Sequence, residues 1–198
     1  MQTKPISDHL ALAEHYYLDA LDFTNRFDFF WERELHKSSR IKSFVDLLMA
    51  SECVLKAHCV LGLLNQPAEE VYAQIRRYGH KISTLADNAY FLQDRNQYEL
   101  IHSYLGSFSV DIRYSLDFYD IFFPLQINNR APTLNYSATV GNNSWVLKVR
   151  ECLNLLLDPI RNKFTGFVPD EIEAIFAHEV RMKQLVASAQ KKKRLTDA

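Results

Sequence analysis

The stretch Met49–Asn88 reads MASECVLKAHCVLGLLNQPAEEVYAQIRRYGHKISTLADN, and it decides the fold class. Its first half is apolar on nearly every side, with Val54, Leu55, Val60, Leu61 and Leu63 joining Phe44, Leu47 and Leu48 upstream. A helix apolar over that much of its circumference belongs at the centre of a bundle, because no face of it can be left in water. The pattern predicts a helix from Ile41 to about Leu64, with Ser38 and Ser39 as natural N-caps. Asn65-Gln66-Pro67-Ala68-Glu69-Glu70 then starts another, since proline suits the first turn and acidic residues complement the positive end of the dipole. Gly79 ends it in the manner of a C′ glycine.

Working outward, the upstream chain predicts a helix from about Ser7 to Leu35, with Leu10, Ala13, Tyr17, Ala20, Leu21, Phe27 and Trp31 near one stripe. Downstream, a fourth helix is expected from near His80 through Leu92. Asp94 to Gln97 has the form of a capping box, opening a fifth helix that continues to about Phe123. Pro124 to Asn143 interrupts the helical pattern with turn-forming residues, and Thr133 to Val140 reads either as a short hairpin or as part of a long loop. Helices from Ser144 to about Lys163 and from Pro169 to about Ala189 complete the chain. The expectation is one all-α domain over residues 1–190, with extra terminal helices, an irregular insertion at about 124–143 and a basic, frayed tail at 191–198.

Composition narrows the function classes. With 23 basic and 24 acidic side chains, no overall field attracts nucleic acid, so any anion site must be local. Only 5 glycines and 6 prolines occur, too few for the frequent turns of a many-stranded sandwich. Three cysteines without a Cys-x-x-Cys pair argue for buried thiols rather than a secreted disulfide framework. The first residues lack the apolar core of a signal peptide, and no window reaches the roughly 18 uninterrupted apolar residues of a membrane span. A cytoplasmic protein that makes no membrane contact is expected. The sequence carries no Gly-rich phosphate loop, Gly-x-Ser-x-Gly elbow or His-Glu-x-x-His, so neither a metal site nor a resident cofactor is expected.

Two groups of residues have the chemistry for a site. Glu52 and Lys56 are spaced i,i+4 in the most apolar helix, a spacing that serves either as a minor surface pair or, if buried, as a positioned charge pair. His80, after Gly79 at a helix junction, has both a capping and a catalytic reading. The second group is Arg95, Asn96 and His102. Positions seven apart return to nearly the same helix face about 10 Å along the axis. Arg95 in the first turn opposes the dipole there, which makes sense if an anion belongs beside it. Glu99 offers the competing account, a structural string of Arg95, Glu99 and His102 on an exposed face.

The order Ser51-Glu52-Cys53-Val54-Leu55-Lys56-Ala57, then Gly79-His80-Lys81-Ile82-Ser83-Thr84-Leu85-Ala86, then Asp111-Ile112-Arg113-Tyr114 resembles HEPN domains over about residues 49–114. In that superfamily an apolar helix with an embedded Glu and Lys is followed by a Gly-His segment and, later, an Arg-Tyr pair. The resemblance implies an up-and-down helical bundle. It also implies two alternative functions. In the first, Arg95, Asn96 and His102 match the Arg, four to six residues, His motif of metal-independent ribonucleases. His102 would then act as general base on a ribose 2′-hydroxyl and Arg95 would stabilise the phosphorane, giving a 2′,3′-cyclic phosphate in a homodimeric toxin or defence effector. In the second, Glu52, Lys56, His80 and Arg113 line a small pocket for a nucleotide, or support the core, in a module that does not cleave. Such a module would work with a nucleotidyltransferase or an antitoxin partner.

Overall fold

The computed structural model describes residues 7–33, 36–123, 134–164 and 172–196, with the side chains at 115–116, 172–174 and 192–196 left out of the description. Among the described residues the chain is all helical, with eight α-helices and no strand. They are α1 (Asp8–Trp31), α2 (Lys37–Gly62), α3 (Ala68–Tyr78), α4 (Ile82–Asp87), α5 (Asn96–Leu105), α6 (Ser115–Phe122), α7 (Asn143–Phe164) and α8 (Ile172–Thr196). Short 3-10 turns lie at Val110–Arg113 and Tyr136–Ala138.

Helix α2 is the axis of the bundle, as its apolar circumference requires. Every residue from Ser43 to Leu61 except Met49 is buried. α1 lies along it and forms the most extensive helix pair, through the stripe Ala13, Tyr17, Ala20, Thr24, Phe27 and Trp31. α7 contributes Val146, Val149, Leu153, Leu156, Leu157 and Ile160, and α8 adds Met182, Leu185 and Ala189. Spacings of three and four residues put each of these sets on one face. Phe44, Phe108 and Trp145 meet with ring centroids 5.2 to 5.8 Å apart and close the end of the core at the start of α2.

Element boundaries depart from expectation where local chemistry intervenes. Ser38 and Ser39 lie inside α2, whose N-cap is His36 without a side-chain bond. α4 stops at Asp87 rather than Leu92, and the Asn88 side chain donates to the carbonyl of Thr84 at 2.8 Å. The expected capping box does not form: Asp94 accepts from the backbone and side chain of Asn96 at 3.0 and 3.1 Å, and the buried Gln97 Oε1 has no hydrogen-bond partner. The long fifth helix is broken after Leu105 at Gly106. Ser109 then caps the following 3-10 turn through the Asp111 amide. The first half of the 124–143 insertion, residues 124–133, lies outside the described residues, and its described part holds a 3-10 turn. α8 runs on through the basic segment to Thr196 instead of ending near Ala189.

One polar side chain joins three helices inside this core. His58 of α2 is fully buried, with Nε2 2.8 Å from the Leu156 carbonyl of α7 and Nδ1 2.7 Å from the Tyr98 hydroxyl of α5. A carbonyl only accepts, so Nε2 carries the proton and Nδ1 accepts from the Tyr98 hydroxyl. That hydroxyl in turn accepts from the Leu92 amide at 3.0 Å. All of these groups are satisfied with a neutral ring, and burial lowers the His58 pKa from 6.5 to about 4.

A pH dependence follows. Because the folded value lies below the unfolded one, the unfolded chain takes up the proton first. The His58 contribution is therefore constant above about pH 6.5 and costs stability as pH falls towards 4, by about 3 kcal/mol in all. Urea unfolding of the wild type and His58→Gln across pH 4 to 7 checks it: the variant is less stable at pH 7, and the gap between the two proteins narrows on acidification. Parallel curves would remove His58 as the cause.

Candidate functional site

Glu52, Lys56 and His80 come together in the structure. The i,i+4 spacing on α2 sets the Lys56 ammonium 2.5 Å from Glu52 Oε1. His80 reaches the same carboxylate from the α3–α4 junction, with Nδ1 2.9 Å from both Oε1 and Oε2. Glu52 is 1% exposed and Lys56 7%, whereas the His80 side chain is 59% exposed. The arrangement is a buried carboxylate held by a buried ammonium, with an imidazole laid across it at the surface. The surface-pair reading of Glu52 and Lys56 therefore does not apply. Charges this deep are tolerated only when each has a partner of good geometry.

Gly79 is what brings His80 back onto α2. It ends α3 with φ 62° and ψ −129°, the one positive φ at a glycine among the described residues. A Cβ there would meet nothing within 4 Å, so the constraint is the backbone conformation, which side-chain-bearing residues rarely adopt. The bend allows His80 to turn inward while Lys81, one residue on, stays exposed.

The surroundings of the cluster include residues that the sequence did not single out. Lys56 Nζ lies 5.7 Å from the centroid of the Tyr16 ring on α1. Burial raises the pKa of the Tyr16 hydroxyl, with Tyr72 and Glu52 adding to the effect and Arg76 opposing it, so these three stand within electrostatic reach of Tyr16. Burial, then the Glu52 charge, pushes the Cys53 thiol up to about 12, which keeps it protonated and unreactive. Tyr16 sits beside the buried Tyr17 on α1, and nothing in the helical period distinguishes the one that turns towards Lys56.

Arg113 does not join the cluster. It is exposed, stacks over its neighbour Tyr114 at 4.7 Å and makes no bond to Glu52, Lys56 or His80.

The second set is arranged differently. Arg95 is the N-cap of α5, and its guanidinium turns back to donate to the carbonyls of Ala89, Ala86 and Asp87 at 2.9, 3.0 and 3.3 Å. It also lies between the rings of Tyr90 and Tyr98, at 5.3 and 5.4 Å. The negative partner expected beside this cation is thus supplied by the chain itself, as backbone carbonyls at and just beyond the C-terminal end of α4. Asn96 is engaged with Asp94. His102 is exposed on the last turn of α5, its ring packed over Gly106, where a Cβ would come within 2.5 Å of it. No ion pair links Arg95, Glu99 and His102 among the described residues, so the structural string is not formed either.

The chain matches no family model, no curated protein and no solved structure. What it can do rests on its own geometry. No group of three or more metal-binding side chains occurs among the described residues, and no helix there is long and apolar enough to cross a membrane.

Two stability measurements test these placements. Lys56→Ala leaves Glu52 buried without its ammonium and is expected to cost about 3–5 kcal/mol, while the double variant Glu52→Gln/Lys56→Met recovers much of that loss. Arg95→Ala is expected to cost about 1–2 kcal/mol through the loss of its bonds to the Ala86, Asp87 and Ala89 carbonyls, against less than about 0.5 kcal/mol for the exposed His102→Ala. Urea unfolding reads all four, and equal effects at Arg95 and His102 would contradict the capping role.

Proposed function

We propose that this chain is an HEPN-like helical module whose working site is the Glu52, Lys56 and His80 cluster, and that it binds a phosphate-bearing ligand such as a nucleotide. One observation carries the reading: side chains 28 positions apart in sequence are brought onto one buried carboxylate, leaving an exposed imidazole in front of it. The neighbourhood carries charges of both signs, with Asp19 of α1 within electrostatic reach of Lys56 and Cys53. Lys56 compensates Glu52, and Arg76, Arg77 and Lys81 are exposed on the same short segment as His80. Cations so placed raise the local concentration of phosphates even in a chain of net charge −1.

The metal-independent ribonuclease is the weaker reading. Its arginine is turned back along the chain and spends three of its five N–H donors on backbone carbonyls, a placement that serves the fold. The module reading also includes a homodimer or a nucleotidyltransferase or antitoxin partner. Exposed Phe29 and Phe30 on α1, with Ile175, Phe176 and Val180 on α8, offer apolar surface for such a contact.

Calorimetric titration with adenosine 5′-monophosphate tests the binding site. Saturable binding is expected, weakened at least about tenfold in His80→Ala, equivalent to about 1.4 kcal/mol. Cellular RNA incubated with the protein in EDTA is expected to stay intact. Cleavage abolished by both His102→Ala and Arg95→Ala, with cyclic-phosphate ends, would instead establish the ribonuclease.

A further inference from the structure

The Glu52–His80 contact gives the imidazole one committed nitrogen and one open one. Glu52 is compensated by Lys56 and its oxygens accept, so the neutral ring holds its proton on Nδ1 and carries the lone pair on Nε2. No described group bonds Nε2, and the side chain is more than half exposed. A simple tie between the α3–α4 junction and α2 needs only Nδ1. A fixed tautomer with an outward lone pair is the arrangement by which a carboxylate orients a general base.

Resting on the ligand site described above, we infer that His80 is the proton-transfer group of that site and that its substrate is a phosphate ester hydrolysed by water. Nε2 takes a proton from a water molecule as the water oxygen forms its bond to phosphorus. The bond from phosphorus to the leaving oxygen breaks, and the imidazolium returns the proton to that oxygen. The products are an alcohol and phosphate, and His80 is regenerated. Glu52 is a positioning residue that holds the ring and stabilises the imidazolium. Lys56 keeps the carboxylate in place from the buried side. Arg76, Arg77 and Lys81 are the exposed cations available to the phosphate oxygens.

Hydrolysis of p-nitrophenyl phosphate by the full chain, followed from pH 5 to 9 beside calorimetric binding of adenosine 5′-monophosphate, tests this step. His80→Gln, at an exposed position, is expected to fold normally and to lose about 100-fold or more in kcat. Glu52→Gln is expected to lower kcat with KM nearly unchanged and to displace the acidic limb of the pH profile. If it does not fold, His80→Gln alone decides. Binding of the nucleotide without hydrolysis, or hydrolysis equal in wild type and His80→Gln, overturns the proton-transfer role and leaves the binding site standing. Neither binding nor hydrolysis overturns both.

Discussion

Burying a whole helix obliges the fold to satisfy whatever polar groups that helix carries. α2 takes Asp46, Ser51, Glu52, Lys56 and His58 into the interior, and an unpaired polar group there costs several kcal/mol. Ser51 is satisfied locally, donating to the Leu47 carbonyl at 2.8 Å. Lys56 pairs with Glu52 within α2, while Asp46, Glu52 and His58 reach outward and each fixes a neighbour. Asp46 pairs with Arg26 of α1 at 3.1 Å. His58 ties α5 and α7. Glu52 recruits the α3–α4 junction through His80. The apolar surface of α2 drives collapse without direction, whereas these bonds have geometry. They specify which helix meets which side of α2.

Helix α2 was legible in the sequence because its signal is redundant: a long apolar run tolerates the loss of any one position. Gly79 was legible for a different reason, since a glycine between a helical pattern and a polar residue has few other uses. The breaks within the expected fifth helix were not legible. Phe108 and Ile112 are buried and keep helical spacing across Gly106 and Ser109, so the periodicity passes through a segment whose backbone does not. Periodicity reports which side chains are inside, and a 3-10 turn packed on the core can bury the same residues as an α-helix. Part of the candidate site was readable as well, because Glu, Lys and His in an apolar context are conspicuous. Tyr16 and the His58 network were not, since their significance exists only after three helices have been brought together.

Arg95 shows how a sound local argument can have more than one answer. A cation at a helix start does want a negative partner, and the partner here is the end of the preceding helix. α4 has six residues, too short to be stable alone. Its last carbonyls face a tight turn of only eight residues before α5, within reach of one side chain. The guanidinium planar fork suits this task, offering several donors in fixed directions where an ammonium offers a point charge. An Arg-to-His spacing on the page of a sequence cannot reveal that the arginine points backwards.

The cluster at Glu52 joins stability and chemistry in one group. A carboxylate that serves an exposed imidazole would be easiest to place at the surface, where its desolvation costs little. Here it is buried, and the cost is offset by Lys56 from the same helix, one turn on. The imidazole is held against a carboxylate that is itself buried and paired within α2, the central helix of the bundle. The arrangement also separates two kinds of change. Alteration of Lys56 acts on the fold through the buried charge, whereas alteration of His80 removes an exposed ring and leaves Glu52 paired. The exposed member of the cluster is therefore the one whose replacement reports on the proposed chemistry, and the buried members report on the fold that positions it.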